Sequence, residues 1–353
     1  MKALVLSGGR GTRLRPITFT RAKQLVPVAN KPILFYGLEA IQEAGIREVG
    51  IIVGDTKPEI EQAVGDGSRW GLAVTYIDQP QPLGLAHAVK IARDYLGEEE
   101  FVMYLGDNLI LGGIRPFVEE FLRQRPNCQI LLARVRNPQQ FGVAEIEGNR
   151  VLRLEEKPKQ PRSDLALVGV YMFDQHVFQA VHAIKPSWRN ELEITDAIQY
   201  LVEHGYEVRP HLISGWWKDT GKLEDILEAN RMLLDQMQPA VEGVLENSRA
   251  EGRVRIEAGA TVRDSLVRGP SVIGANCRIT DAYVGPYTSI SEQVEIESCE
   301  IEHSIVMTES RLSGIRHRIV DSLIGRNVLI AAAEERPSAH RLMLGDNSSV
   351  RLG

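Results

Sequence analysis

Ala3-Leu4-Val5-Leu6-Ser7-Gly8-Gly9-Arg10-Gly11-Thr12-Arg13-Leu14-Arg15-Pro16 opens on four apolar residues and runs into a glycine-rich loop that carries arginine. The apolar run reads as a buried strand. A loop of this composition at the end of a strand can wrap backbone N–H groups and guanidinium charge around phosphates. It is not a P-loop, because no Lys follows Gly11. Nor is it the dinucleotide fingerprint: counted from Gly9 and Gly11, the third position is Leu14. ATPase and dinucleotide-dehydrogenase readings therefore lose their main support.

The bulk properties narrow the class. A chain of 353 residues predicts two domains. A hydrophobic content of 43% and a charged content of 25% are those of a soluble globular protein. The net charge of −6 argues against nucleic acid as a partner. Anionic substrates must then be met by local cations such as Arg13 and Lys23. Cys128, Cys277 and Cys299 show no ligand-like spacing and read as reduced thiols of a cytoplasmic protein. The first apolar run is too short for a signal peptide or a membrane span, so no membrane partner is expected.

Apolar runs recur at Val49–Val53, Ala73–Ile77 and Phe101–Leu105, with helical spacing between them. Pro32 is expected at the first helical position ahead of Leu34, Leu38 and Ile41, and Pro82 likewise ahead of Leu85–Val89. The alternation predicts an α/β domain with a mostly parallel sheet, whose ligands bind at the carboxyl ends of strands. Residues Leu223–Met237 read as a closing amphipathic helix, stopped by Pro239. After about residue 240 the period changes. Ile256 and Val262, Ile273 and Ile279, and Val284 and Ile290 are each six residues apart. A six-residue apolar period is the mark of hexapeptide repeats stacked into a parallel β-helix. The register weakens at Glu297–His303 and Gly314–His317, where a short or irregular coil is expected, and Glu334–Pro337 reads as a loop or frayed end. We expect domains at 1–238 and 239–353.

The run Gly-Gly-x-Gly-Thr-Arg-Leu-x-Pro, followed by Lys23-Gln24-Leu25-Val26-Pro27 and Asn30-Lys31-Pro32, resembles the signature of the sugar nucleotidyltransferases. Its Lys-Gln-Leu form is similar to the glucose-1-phosphate thymidylyltransferases, and the repeats resemble the extension of their long form. That resemblance implies a Rossmann-like, mixed and mostly parallel nucleotidyltransferase domain followed by a left-handed β-helix. It also implies transfer from dTTP to glucose 1-phosphate, giving dTDP-glucose and pyrophosphate, with Mg²⁺ as cofactor. The site must hold two anions in line and spread transition-state charge.

The resemblance assigns residues to that task. Gly8, Gly9, Gly11, Thr12 and Arg13 form the phosphate loop, and Lys23 lies on the pyrophosphate side. Asp107, directly after a strand, and Asp219, before the last helix, would hold the metal. Gln24 and Gln79, with Pro82 and Gly84 of the loop Gln79–Ala86, would read the base through complementary amide hydrogen bonds. Gly142, Glu156, Leu167 and Gly169 line the sugar pocket, and Lys157 grips the sugar phosphate with Arg189. Glu193 and Asp196 serve either that pocket or an ordinary acidic helix start. UTP shares the thymine edge apart from a methyl group, so some use of it is expected. Three alternatives stand beside this: another nucleotide or sugar phosphate, a bifunctional enzyme with acyl transfer at His303 or His317, and a nucleotide-sugar sensor. The flanks of a β-helix also lead us to expect a homo-oligomer.

Overall fold

The computed structural model describes residues 1–9 and 11–332. Expectations for Glu334–Pro337 lie outside the described residues. The chain divides into two compact units, one of residues 1–10, 21–25 and 33–219, the other of 11–20, 26–32 and 220 onward.

The first unit is built on a nine-stranded mixed sheet. Lys2–Leu6 lies at its centre, parallel to both Glu48–Val53 and Phe101–Leu105, and Ala73–Asp78 continues the parallel side. On the other side Leu165–Phe173 runs antiparallel to Phe101–Leu105 and leads to Gly142–Glu147 and Arg150–Glu156. Beyond their first residues, Lys2 and Glu48, the central strands carry no charged residue, because both faces are covered. Leu4 and Leu6 pack on one side with Met103 and the helices Leu85–Ile91 and Ile194–Glu203. Ala3 and Val5 pack on the other with Tyr104 and the helix Ile33–Glu43, whose Leu34, Leu38 and Ile41 are fully buried. Pro32 does not open that helix. It pairs with Pro27 in a two-stranded ribbon, and Ile33 is the first helical residue. Pro82 lies two residues before Gly84, the N-cap of Leu85–Ile91. No helix among the described residues is long and apolar enough to cross a membrane.

The second unit holds the helix Leu223–Leu234 and a left-handed parallel β-helix of three sheets. Ile256, Val262, Val267, Ile273, Ile279, Val284, Ile290, Ile296 and Ile301 form its fully buried column. Their spacing alternates six, five and six residues, so equivalent positions in successive turns are 17 residues apart. The six-residue period is thus correct for two faces and one residue too long for the third. Asn247, Asp264, Asp281 and Ser298 turn one corner with φ of 47°, 49°, 48° and 48°. Short polar side chains tolerate that left-handed conformation best, and here they also bond between coils, Asn247 Nδ2 to Asp264 Oδ1 at 2.5 Å and Ser298 Oγ to Asp281 Oδ2 at 2.8 Å. Around Gly314–His317 the strand gives way to an isolated bridge, Ile301 to Ile319, and Arg318 reaches back 16 residues to Glu302 and 18 to Glu300. The hairpin Pro27–Val28/Lys31–Pro32 belongs to this unit. Asn230, fully buried, accepts from Ala29 N and from Ser289 Oγ and donates to the Tyr287 carbonyl, while Asn30 donates to the Ile290 carbonyl.

Candidate functional site

Three groups of side chains meet at the carboxyl end of the central strands of the first unit. The first is charged. Phe101–Leu105 ends in Gly106-Asp107, and Asn108–Ile110 then pairs antiparallel with Trp217–Asp219, which sets Asp219 opposite Asn108. Lys23, 6% exposed on the turn Lys23–Leu25, donates to Asp107 Oδ2 and lies 3.6 Å from Asp219 Oδ1. Two residues 112 positions apart in sequence thus converge on one ammonium. Burial works against the charge of Asp107, but Lys23 and the Asn108 amide outweigh it and hold the carboxyl below its ordinary range. A relay fixes its direction: Trp217 Nε1 donates to Asn108 Oδ1 at 2.7 Å, and Asn108 Nδ2 donates to Asp107 Oδ1 at 3.0 Å. Gly169 is required here, since a Cβ would stand 2.8 Å from the Asn108 carboxamide.

This donor set fits a small divalent cation. Both ligands are hard carboxylate oxygens, and the point they share already accommodates a positive charge. Two carboxylates leave most of an octahedral shell to phosphate oxygens and water. Among the described residues no group of three or more His, Cys, Asp or Glu gathers for an all-protein metal cage.

The second group is amide. Gln24 and Gln79 are 3% and 8% exposed. Gln79 Oε1 faces Gly8, where a Cβ would come within 3.2 Å, and Gln24 flanks both Gly9 and Gly106. Gln24 Oε1 is buried without a hydrogen-bond partner among the described residues, which marks a place for a ligand donor. Gly84 has φ +107°, and its Cα lies so close to Leu192 that a Cβ would be 2.4 Å from the carbonyl oxygen. Pro82 stands in the exposed bend before it.

The third group surrounds Glu156. Gly142 pairs with Glu156 across two strands, and a Cβ on Gly142 would meet Thr195 at 2.5 Å, Leu167 at 2.8 Å and Glu156 Oε2 at 3.1 Å. Glu156 accepts from Thr195 Oγ1 at 3.0 Å and from Arg189 at 3.2 Å. Arg189 also binds Glu191 and Glu193, and Lys157 Nζ is 3.5 Å from Glu156 Oε1. Burial raises the Glu156 carboxyl above its ordinary range despite these cations. Asp196 is raised as well, by burial and then by Glu193.

Gly11, Thr12 and Arg13 belong to the second unit, where the exposed Arg13 guanidinium lies against Gly221, 3.0 Å from the place of a Cβ. His303 Nδ1 meets Asp321 Oδ1 at 2.5 Å. Both residues have left-handed φ, 44° and 50°, so the pair repeats the inter-coil corner bonding seen at Asn247–Asp264. Sequence reasoning missed Asn108, Trp217 and Thr195, which orient Asp107 and Glu156. Only the apolar run before Asp107 hinted at the first of them.

Residues 2–236 match the nucleotidyl transferase family. Over its whole length the chain is 58% identical to a glucose-1-phosphate thymidylyltransferase of Streptomyces griseus and 55% identical to one of Streptomyces antibioticus, covering 99% of each. A Bacillus anthracis protein solved with sucrose, provisionally assigned the same activity, superposes with a TM-score of 0.62 at 36% identity, over 66% of this chain and 94% of that one. The match over residues 2–236 and the full-length identity to these relatives lead to one conclusion: the chain belongs to the nucleotidyl transferase family.

Proposed function

We propose that the protein is a glucose-1-phosphate thymidylyltransferase, joining dTTP and glucose 1-phosphate to give dTDP-glucose and pyrophosphate. The names of the full-length relatives support this choice of substrates. The observation that carries the chemistry is the convergence of Asp107 and Asp219 on Lys23 Nζ. An oxygen of the sugar phosphate attacks the α-phosphorus, and the bond from that phosphorus to the bridging oxygen breaks, leaving its electron pair on pyrophosphate. The nucleophile is already an anion, so positioning and charge stabilisation do the work.

Nucleotidyl transferases of this family generally use a divalent metal, and here we propose Mg²⁺. Asp107 and Asp219 would hold it, and it would neutralise charge on the triphosphate. In our reading Lys23 offsets charge on the pyrophosphate side, and Arg13 with the backbone of Gly8, Gly9, Gly11 and Thr12 cradles the phosphates. Gln24 and Gln79 read the base, in a loop shaped by Pro82 and Gly84. Lys157 and Arg189 hold the sugar phosphate, while Glu156 accepts sugar hydroxyls beside Gly142, Leu167 and Gly169. Residues 1–238 would form the catalytic domain and 239–353 the β-helix domain. We further propose a cytoplasmic homo-oligomer. The buried thiols of Cys128, Cys277 and Cys299 suit the compartment, and exposed apolar residues such as Val241, Val244 and Leu329 suit assembly.

Pyrophosphate release from glucose 1-phosphate with Mg²⁺ tests the reading, comparing dTTP, UTP, GTP, ATP and CTP at equal concentration. A preference for dTTP is expected, and Asp107→Asn should lower kcat by about 10²–10³. Preference for another nucleotide would keep the reaction and reject the base assignment. An Asp107→Asn enzyme of full activity would reject the metal role.

A further inference from the structure

The glutamine that faces Gly8 has a fixed orientation. The two ends of its carboxamide differ in hydrogen bonding, one donating and one accepting. Gln79 Nε2 lies 3.0 Å from His87 Nδ1 and 3.4 Å from the Gly84 carbonyl oxygen. A carbonyl oxygen only accepts, so the nitrogen end must face it; the reversed amide would set oxygen against oxygen. Gly84 itself is held in place. Leu192 N donates to the Leu83 carbonyl at 2.7 Å, and Ala86 N donates to the Leu192 carbonyl at 3.0 Å. With Nε2 donating, His87 Nδ1 is the acceptor, and the neutral ring carries its proton on Nε2. Burial and then the Lys90 charge hold His87 below its ordinary range, which agrees with a neutral ring. Both amide hydrogens of Gln79 are thereby directed at protein acceptors. Oε1 is left to face Gly8.

We propose that His87 is a specificity-positioning residue: by accepting from Gln79 Nε2 it locks Gln79 Oε1 as an obligate acceptor for the base. The inference rests on the nucleotidyl-transfer reading above. Thymine and uracil present an N3–H donor to such an oxygen, whereas cytosine in the same pose presents the N3 lone pair. A lone pair set against a fixed oxygen is worse than a missing hydrogen bond, because both acceptors are also desolvated. Without His87 only the longer 3.4 Å contact to the Gly84 carbonyl holds the amide; the reversed amide becomes accessible, and its Nε2 then suits cytosine N3. Discrimination among pyrimidines is thus assigned to a residue eight positions beyond the glutamine that reads them.

The test is kcat/KM for dTTP, UTP and dCTP with glucose 1-phosphate, in the full chain and in His87→Leu, His87→Gln and His87→Lys, with Tm measured for each. His87→Leu should lower the dTTP:dCTP ratio about tenfold, the effect of one hydrogen bond. His87→Gln, whose side-chain oxygen can accept, should retain most of the wild-type ratio. His87→Lys, donor only, should lower the ratio as Leu does, and it decides the matter if the Leu variant does not fold. A folded Leu or Lys variant with the wild-type ratio overturns the proposal, as does a Gln variant that falls as far as Leu. Wild-type protein that turns over none of the three nucleotides removes the functional reading instead, and the proposal with it.

Discussion

Glu156 shows what a buried acid costs the protein. Its side chain is 17% exposed, and burial raises its carboxyl from the ordinary 4.5 against the pull of Lys157, Thr195 and Arg189. A carboxyl whose pKa is higher in the folded state than in the unfolded one contributes most to stability when protonated. That contribution is lost as the pH rises from about 4.5 through the raised value. Glu156→Gln cannot lose it. The Tm of the variant relative to wild type should therefore become more favourable between about pH 4 and pH 7, while KM for glucose 1-phosphate rises. A Tm difference that stays constant across those pH values would contradict the assignment of burial as the dominant influence.

The ribbon of Asn108–Ile110 and Trp217–Asp219 is the element that assembles the acid pair. Trp217 packs edge-on against Phe141 with centroids 5.5 Å apart, and its N–H begins the relay to Asp107. Trp217→Phe keeps an aromatic ring at the position but removes the indole N–H donor together with the second ring. We expect a stability loss of about 1 kcal/mol and a fall in kcat of roughly tenfold with little change in KM; unfolding in urea and steady-state kinetics measure the two. An unchanged kcat would show that Asp107 needs no such support. This ribbon was not legible in the sequence, because its two strands are three residues each and far apart, with no periodicity to join them. The inner parallel strands were legible, since burial on both faces leaves an apolar run in each, Ala3–Leu6, Val49–Val53 and Phe101–Leu105. Pro32 misled for a related reason: a proline suits a helix start and an edge ribbon alike, and only pairing with Pro27 decides. Among the candidate site residues, those in the glycine-rich loop and beside glycines were proposed from motif. His87 and Thr195 act through neighbours that only the fold supplies.

In the molecule as a whole, stability is organised differently in its two units. The sheet of the first unit shares its core across helices on both faces, whereas the apolar column of the β-helix is shared only between successive coils. Ile279, fully buried between Val262 and Ile296, should on replacement by Ala cost about 2–5 kcal/mol. Hydrogen exchange should place the loss in the coils around it and leave the Lys2–Leu6 strand as protected as before; uniform deprotection of both units would refute a local stack. The 17-residue turn has a further consequence. Length in the β-helix comes in whole steps. A one-residue change within a strand would put a neighbour meant for solvent in place of an inward valine; it is taken up only at corners, as where Ile290 pairs with Val306 at 16 residues and Val306 with Ile324 at 18. Deleting one complete turn puts equivalent residues back over one another and shortens the rod without changing its cross-section. A lineage of such chains can therefore drift in rod length by duplication or loss of full turns, and rod length becomes a counted rather than a continuous trait.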